Sequence, residues 1–241
     1  MVMDSLHCWH KLNIDATGAL RDDLVLKSLM SDPEIFFEKK HFMLGIVEKD
    51  LVRVFNEDWL QDLESKQIRP KSMVIFYKKP YTDNNIHIDA VEPNDHFHRY
   101  ALNIIGNPGH LNGSAASERW KNWKDTSTME WYWVPNDEDQ IEVASGSHEE
   151  YLVGNQPYMY TPWENPNYLR VAPDGKHTQI SSLAFKNHRK HAYLINASVP
   201  HQVVTSDQAH LCFSLRDFMH PTPYSWAEVE DYYKELLGNN T

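Results

Sequence analysis

Apolar residues recur at helical spacing through much of the first 70 residues, and this pattern predicts a helical flank at the start of the chain. The segment GALRDDLVLKSLM places its leucines on one helix face, and NEDWLQDLESKQ continues the pattern around Trp59. Between them, DPEIFFEKKHFMLGIVEKD begins with Asp32 and Pro33, a pair typical of a helix N-terminus. We therefore expect residues 1–70 to be mostly helical.

Beyond that flank the pattern changes to short apolar runs that are rich in β-branched and aromatic residues and that end near Pro, Gly or Asp. We interpret these runs as strands, at residues 71–80, 99–106, 129–135, 191–200 and 210–218. Two long polar segments, about 107–128 and 135–180, interrupt the strands as insertions. Residues 225–238 predict a final helix, because Ser225 and Glu228 have the spacing of a capping box.

This order of elements predicts a mainly β, α+β fold of the jelly-roll type, with a helical N-terminal flank and a C-terminal helix. We expect one domain over residues 1–241, with its β core at 71–220. A doubly wound nucleotide-binding fold is disfavoured because strands and helices do not alternate regularly. The glycines of GNPGHLNG also lack the spacing of a phosphate-binding loop.

Composition excludes several classes of function. The chain carries 23 basic and 34 acidic residues, a net charge of −11, without a basic run, which disfavours nucleic acid as a partner. Cys8 and Cys212 are the two cysteines, so neither a disulfide framework nor a thiolate zinc site is expected. Neither a signal peptide nor an apolar stretch of membrane-spanning length is evident, and we expect a cytoplasmic protein without a membrane partner.

Three residues in the predicted β core form a candidate metal site. His87 and Asp89 are two positions apart at the end of an apolar run, so both side chains point to the same face of a strand. His201 follows another apolar run and can supply a third ligand. Two imidazoles and one carboxylate make up the facial triad of non-haem Fe(II) oxygenases, which leaves other coordination positions open.

A second pair lies on the last predicted strand. In HLCFSLRDF, Ser214 and Arg216 share one face with Cys212, and the intervening leucines and phenylalanine share the other. An arginine on the inner face of a β-sandwich is costly unless it meets an anion. The planar guanidinium suits a carboxylate, and Ser214 beside it can add a hydroxyl donor.

Taken in chain order, His87-x-Asp89, then His201, then Ser214 and Arg216 resemble the pattern of the Fe(II)/2-oxoglutarate-dependent dioxygenase superfamily. The resemblance implies a double-stranded β-helix over the predicted core, with Fe(II) at the two histidines and the aspartate. It implies that Arg216 and Ser214 hold the distal carboxylate of 2-oxoglutarate, and that O2 is consumed. Because halogenating members of the family lack the carboxylate ligand, Asp89 favours hydroxylation or desaturation. Hydroxylation with release of succinate and CO2 is the first expectation.

Other residues are open to more than one interpretation. Asn103 and Tyr77 are candidate contacts of the co-substrate, although a satisfied core position fits each of them as well. The candidate substrate contacts are Trp131, His98 and Trp163. His98 and its neighbour His96 have the same two-residue spacing as the metal pair, but they lack a carboxylate on their face.

The substrate is not readable from the sequence. A small polar metabolite, such as an amino acid derivative, is the first expectation for the partner, and a protein side chain is the second. Two further classes stay open: a cupin-type metalloenzyme that does not use 2-oxoglutarate, and a β-sandwich binding module without catalysis. The sequence also leaves open the oligomeric state and the role of the long loops.

Overall fold

The computed structural model describes residues 8–30, 41–82, 86–89, 99–134, 140–144, 151–153, 156–158, 167–171, 175–185, 190–219 and 225–237. The strands within them are β1 Trp9–Asp15, β2 His41–Val47, β3 Ser72–Lys78, β4 His87–Ile88, β5 Tyr100–Gly106, β6 Thr128–Trp133, β7 Gln140–Ala144, β8 Tyr151–Val153, β9 Gln156–Tyr158, β10 Asn167–Val171, β11 Thr178–Ala184, β12 His191–Asn196, β13 His201–Val204 and β14 His210–Arg216. The α-helices are α1 Leu26–Leu29, α2 Glu57–Ser65, α3 Glu118–Lys121 and α4 Trp226–Tyr232. Short 3-10 helices cover Glu48–Arg53, Pro108–Leu111 and Lys234–Leu236.

The strands form two six-stranded antiparallel sheets. The first sheet has the order β1-β12-β5-β14-β3-β2, and the second has the order β11-β6-β13-β4-β10-β7. From β3 to β6, and again from β11 to β14, consecutive strands alternate between the two sheets. This topology confirms the prediction of a mainly β fold built as a jelly-roll-like sandwich.

The two faces of β14 show how the core is divided. Phe213 belongs to a large apolar cluster that also contains Trp59 of α2 and Val229 of α4, so this face of the first sheet is covered by helices. Cys212 belongs to a second cluster that includes Trp131 of β6 and Ala101 of β5, so the opposite face packs against the second sheet. Ser214 and Arg216 alternate with the helix-side residues and therefore face the interior between the sheets.

The predicted strands and the final helix are confirmed. Each of the five apolar runs between 71 and 218 contains a strand, namely β3, β5, β6, β12 and β14. The C-terminal helix begins after Ser225, whose hydroxyl accepts from the backbone N–H of Glu228 at 3.3 Å. In return the Glu228 carboxylate accepts from the backbone N–H of Ser225 at 2.9 Å, which completes the capping box.

The N-terminal region differs from the prediction. The helix predicted around Trp59 is present as α2, but β1 and β2 are strands, and the GALRDDLVLKSLM segment has helix only at α1. In β2, Leu44 and Ile46 are buried while Met43 is exposed, which is the two-residue period of a strand. In the sequence, the apolar run of this segment is too short to distinguish that period from helical spacing. The predicted helix start at Asp32 lies outside the described residues.

The long segment from 135 to 180 is also more regular than a loop insertion. Within it, β7 and β10 pair with each other and extend the second sheet beyond β4, and β11 begins at Thr178 on the other side of that sheet. The earlier polar segment contains a 3-10 turn and α3. Among the described helices, none has the length and apolarity that a membrane span requires.

Candidate metal centre

The three predicted ligands meet on the inner face of the second sheet. His87 is the first residue of β4, Asp89 follows that strand directly, and His201 is the first residue of β13. The two histidines are paired in the β4–β13 register, and their ring centroids are 4.7 Å apart. Opposed residues of an antiparallel pair share a face, which brings both imidazoles to one point.

The separations suit a shared metal ion. The distance from His87 Nε2 to Asp89 Oδ1 is 3.4 Å, and that from His201 Nε2 to the same oxygen is 3.6 Å. One ligand atom from each of the three residues lies within 4.8 Å of the others. Ligands that bind one ion from about 2 Å each have separations of this size. The donor set of two imidazoles and one carboxylate therefore fits Fe(II).

The backbone orients these ligands. Nδ1 of His201 lies 2.8 Å from the carbonyl oxygen of Val199, and this bond turns Nε2 toward the site. The backbone N–H of Asp89 donates to the carbonyl of Ala197 at 3.2 Å. Both contacts come from the turn between β12 and β13, so this turn positions two of the three ligands.

The charge states also suit metal binding. Burial lowers the pKa of His201 to about 4, so at neutral pH the imidazole is unprotonated, as a metal ligand must be. Burial acts to raise the pKa of Asp89, but Arg216 and the two histidines outweigh it, and the pKa lies well below its ordinary value. The carboxylate is therefore ionised.

Arg216 reaches across the sandwich to the metal ligand. Its Nη2 lies 3.0 Å from Asp89 Oδ2, and its Nε donates to Ser214 Oγ at 3.1 Å. The guanidinium also lies 6.0 Å from the ring centroid of Phe76. Arginine on the inner face thus has an anionic partner in the protein itself, a contact that the sequence pattern did not indicate.

Asn103 lies beside this group. It is paired with Ser214 in the β5–β14 register and is only 8% exposed, yet its Oδ1 has no hydrogen-bond partner among the residues that the structure describes. A buried amide oxygen without a partner costs free energy, which is consistent with a bound ligand at this position.

Two other predicted contacts lie elsewhere. Tyr77 is paired with Leu211 and belongs to the helix-side cluster, so it occupies the face of the first sheet that points away from the metal ligands. Trp131 is fully buried beside His201, and its Nε1 donates to the carbonyl of Asn196 at 2.9 Å. It is therefore a core residue and presents no exposed surface to a substrate. His98 and Trp163 lie outside the described residues.

Sequence reasoning missed a second histidine–aspartate cluster. Nδ1 of His210 lies 2.6 Å from Asp125 Oδ2 and 2.8 Å from Ser127 Oγ. The Ser127 hydroxyl and backbone N–H both donate to Asp125 Oδ1. The available signal was the Asp-x-Ser pattern before β6, which favours a local turn, but nothing in the sequence joins it to a residue of β14.

No family model matches the chain, and no curated protein matches it either. Among solved structures, a prolyl-4-hydroxylase from Pseudomonas putida is similar, with a TM-score of 0.38 and 10% sequence identity. The similarity covers 89% of this chain and 94% of that chain. At this TM-score and identity it carries no assignment of activity, so the function is argued from the residues of the site.

Proposed function

We propose that the protein is a non-haem Fe(II) oxygenase that uses 2-oxoglutarate and O2 to hydroxylate a small polar metabolite, with release of succinate and CO2. The observation that carries the proposal is the grouping of His87, Asp89 and His201, whose ligand atoms lie within 4.8 Å of one another. This donor set is the facial triad of such oxygenases.

The three ligands would hold the iron on one side and leave its other positions open to small molecules. When bound, the iron supplies the O2 chemistry that protein side chains lack. Arg216 keeps Asp89 ionised and fixes one carboxylate oxygen, and the Val199 carbonyl fixes the His201 ring. The protein's contribution is ligation, orientation and a largely buried site.

The first sheet would hold the co-substrate. Arg216, Ser214 and Asn103 line the inner face opposite the candidate metal ligands, and the planar fork of a guanidinium suits a carboxylate. Rotation of the Asn103 side-chain amide would place its NH2 group where Oδ1 now lies, and the NH2 group can donate to a carboxylate of the co-substrate. These groups support an anionic co-substrate at this wall.

The test is anaerobic addition of Fe(II) and then 2-oxoglutarate to the protein, with the visible charge-transfer band of the chelate as the readout. We expect a band in the wild type and none in His201→Ala, which lacks one ligand. Asn103→Leu keeps the volume of the side chain and should raise the 2-oxoglutarate concentration needed for half of the band, with Fe(II) binding retained. Folded wild-type protein that gives no band would contradict the proposal.

One observation favours a second candidate, a metal oxygenase that does not use 2-oxoglutarate. Because Arg216 is already paired with Asp89, the buried guanidinium has an anion without any co-substrate. For this candidate we expect Fe(II) to bind at the same ligands, with no charge-transfer band and with O2 consumption that is independent of 2-oxoglutarate.

A further inference from the structure

The turn between β12 and β13 holds two of the candidate metal ligands through its backbone carbonyls. The carbonyl of Ala197 accepts from the backbone N–H of Asp89 at 3.2 Å. The carbonyl of Val199 lies 2.8 Å from Nδ1 of His201. Because a carbonyl oxygen can only accept, Nδ1 of His201 carries the proton and Nε2 presents its lone pair to a metal ion. The directions of these two carbonyls therefore decide where two of the three ligands point.

The side chain of Asn196 sets the shape of this turn. Its Oδ1 accepts from the backbone N–H of Ser198 at 3.1 Å and from the Ser198 hydroxyl at 2.6 Å. An asparagine side chain that bonds the backbone two residues further on takes the place of the peptide hydrogen bond of an ordinary turn. Asn196 is only 3% exposed, so water competes little for these donors. The two bonds hold the stretch from Asn196 to Ser198, including the Ala197 carbonyl, in one conformation.

The backbone of Asn196 is anchored to both sheets. Its N–H donates to the carbonyl of Cys8, directly before β1, at 2.9 Å. Its own carbonyl accepts from Nε1 of Trp131, a residue of β6, at 2.9 Å. Trp131 is in turn paired with His201 in the β6–β13 register. The asparagine side chain therefore acts from a fixed point beside the candidate metal centre.

The other end of the turn is fixed as well. The carbonyl of Pro200, directly before His201, accepts from the backbone N–H of Tyr132 at 2.8 Å. The ring of Pro200 also restricts its own φ, which leaves this residue little conformational freedom. The segment between the two fixed ends is 197–199, and the hydrogen bonds of the Asn196 side chain set its bend.

We propose that Asn196 is a positioning residue of the metal centre, because its side chain holds the two carbonyls that orient Asp89 and His201. The inference rests on the proposed function, since it assumes that a metal ion binds at these ligands. Groups that orient metal ligands contribute about 10- to 100-fold to metal affinity. Asn196 acts through the carbonyls and not on the ligands directly, but it acts on two ligands at once.

The experiment measures the affinity of the whole chain for Co(II) in the absence of 2-oxoglutarate. Co(II) binds the same imidazole and carboxylate ligands, and its visible absorption reports the number and geometry of those ligands. Asn196→Ala removes Oδ1 and should lower the affinity by about 10-fold or more, with a changed absorption spectrum. Asn196→Asp keeps an acceptor oxygen for both Ser198 donors and should restore most of the affinity and the spectrum. Ser198→Ala removes one of the two donors and should lower the affinity by about 2- to 10-fold.

The matched control is Asn107→Ala, which truncates another buried asparagine at the opposite end of the first sheet. Asn107 directly follows β5, whereas Asn196 is paired with Tyr100 at the start of that strand. The Nδ2 of Asn107 donates to the carbonyl of Trp120 at 3.3 Å, so this variant also loses a hydrogen bond. Urea unfolding should show a loss of stability in both asparagine variants, while Asn107→Ala keeps the Co(II) affinity of the wild type.

Two results would overturn the inference: an Asn196→Ala variant with the affinity and spectrum of the wild type, or equal losses of affinity in both asparagine variants. If Asn196→Ala does not fold, Ser198→Ala takes its place, and an affinity equal to that of the wild type overturns the inference in that case too. Wild-type protein that binds no Co(II) contradicts the metal centre and the proposed function. An unchanged Asn196→Ala variant contradicts only the role of Asn196.

Discussion

Within the part of the chain that the structure describes, two groups of histidine and aspartate differ in how their polar atoms are satisfied. In the Asp125–Ser127–His210 cluster, the contacts of His210 are 2.6 and 2.8 Å long, and all three residues are at most 2% exposed. The buried carboxylate therefore has three donors, from a hydroxyl, a backbone N–H and an imidazole. Such a cluster is complete without a ligand.

At the candidate metal centre the corresponding separations are 3.4 and 3.6 Å, longer than a good hydrogen bond. Two imidazoles converge on one carboxylate oxygen, and the side chains of His87 and Asp89 retain 22% and 11% exposure. The comparison shows that residue type alone does not identify a site. What distinguishes the candidate metal centre is a set of ligand atoms that lie around one position, with separations between them that are longer than hydrogen bonds.

The largest effect is expected at Asp89, which is both a ligand and the partner of Arg216. Asp89→Ala should lower Fe(II) affinity by more than about 100-fold, since even groups that only support a ligand contribute about 10- to 100-fold. It also leaves the Arg216 guanidinium buried without this anion, a loss of about 3–5 kcal/mol in the free energy of unfolding. Metal titration and urea unfolding measure the two effects.

The control for this variant is Asp58→Ala, which removes an exposed carboxylate from the first turn of α2. It should leave the Fe(II) affinity unchanged and lower the free energy of unfolding by less than about 1 kcal/mol. An Asp89→Ala protein that retains the Fe(II) affinity of the wild type would show that the converging donors are not the metal site.

The next effect separates the two groups directly. His210→Ala leaves the Asp125 carboxylate buried without its imidazole partner and should cost about 3–5 kcal/mol of unfolding free energy, while Fe(II) binding of the folded protein is retained. His87→Ala should do the reverse, with metal binding lost and a smaller loss of stability. Urea unfolding and metal titration of both variants test this. Equal effects of the two substitutions on metal binding would mean that the cluster at His210 is coupled to the site.

The smallest effect concerns pH. Burial acts to raise the pKa of Asp125, but His210 and the hydrogen bonds from Ser127 outweigh it, so the pKa in the folded protein is lowered. A carboxyl group of this kind stabilises the fold above its unfolded pKa of about 3.9, and the stabilisation is lost as the pH falls through the lower folded value. The stability difference between wild type and Asp125→Asn should therefore narrow below about pH 4, by at most about 1.4 kcal/mol per pH unit. A difference that stays constant from pH 7 to pH 3 would contradict this account.

The sequence predicts those parts of the molecule in which the alternation of polar and apolar residues within one segment determines the face that each side chain occupies. Alternation in HLCFSLRDF placed Ser214 and Arg216 on the inner face, and the two-residue spacing of His87 and Asp89 placed both on one side of the chain. His201 was predicted as the third ligand because it follows an apolar run, and in the structure it begins β13. In these cases each segment determines which face its own residues occupy.

The remaining features depend on pairing between distant segments, which a local period does not contain. The strand β2 has apolar residues that also fit a helix, and its position at the edge of the first sheet depends on β3. The Asp89–Arg216 ion pair depends on how closely the two sheets approach, and the position of β10 beside β4 depends on pairing between segments that are far apart in the chain. Tyr77 was a candidate contact of the co-substrate, and the structure places it on the helix side of β3. Because β3 is mostly buried on both faces, the sequence did not show which face points to the candidate site.

The position of β7 and β10 in the chain has an evolutionary consequence. Both strands belong to the segment between β6 and β11. The three candidate metal ligands lie outside that segment, in β4, directly after β4 and in β13. Changes of sequence or length in the inserted pair can therefore alter the residue beside His87 without moving any ligand. Variation in this segment is therefore expected to change the surroundings of the candidate metal centre while the grouping of His87, Asp89 and His201 is kept.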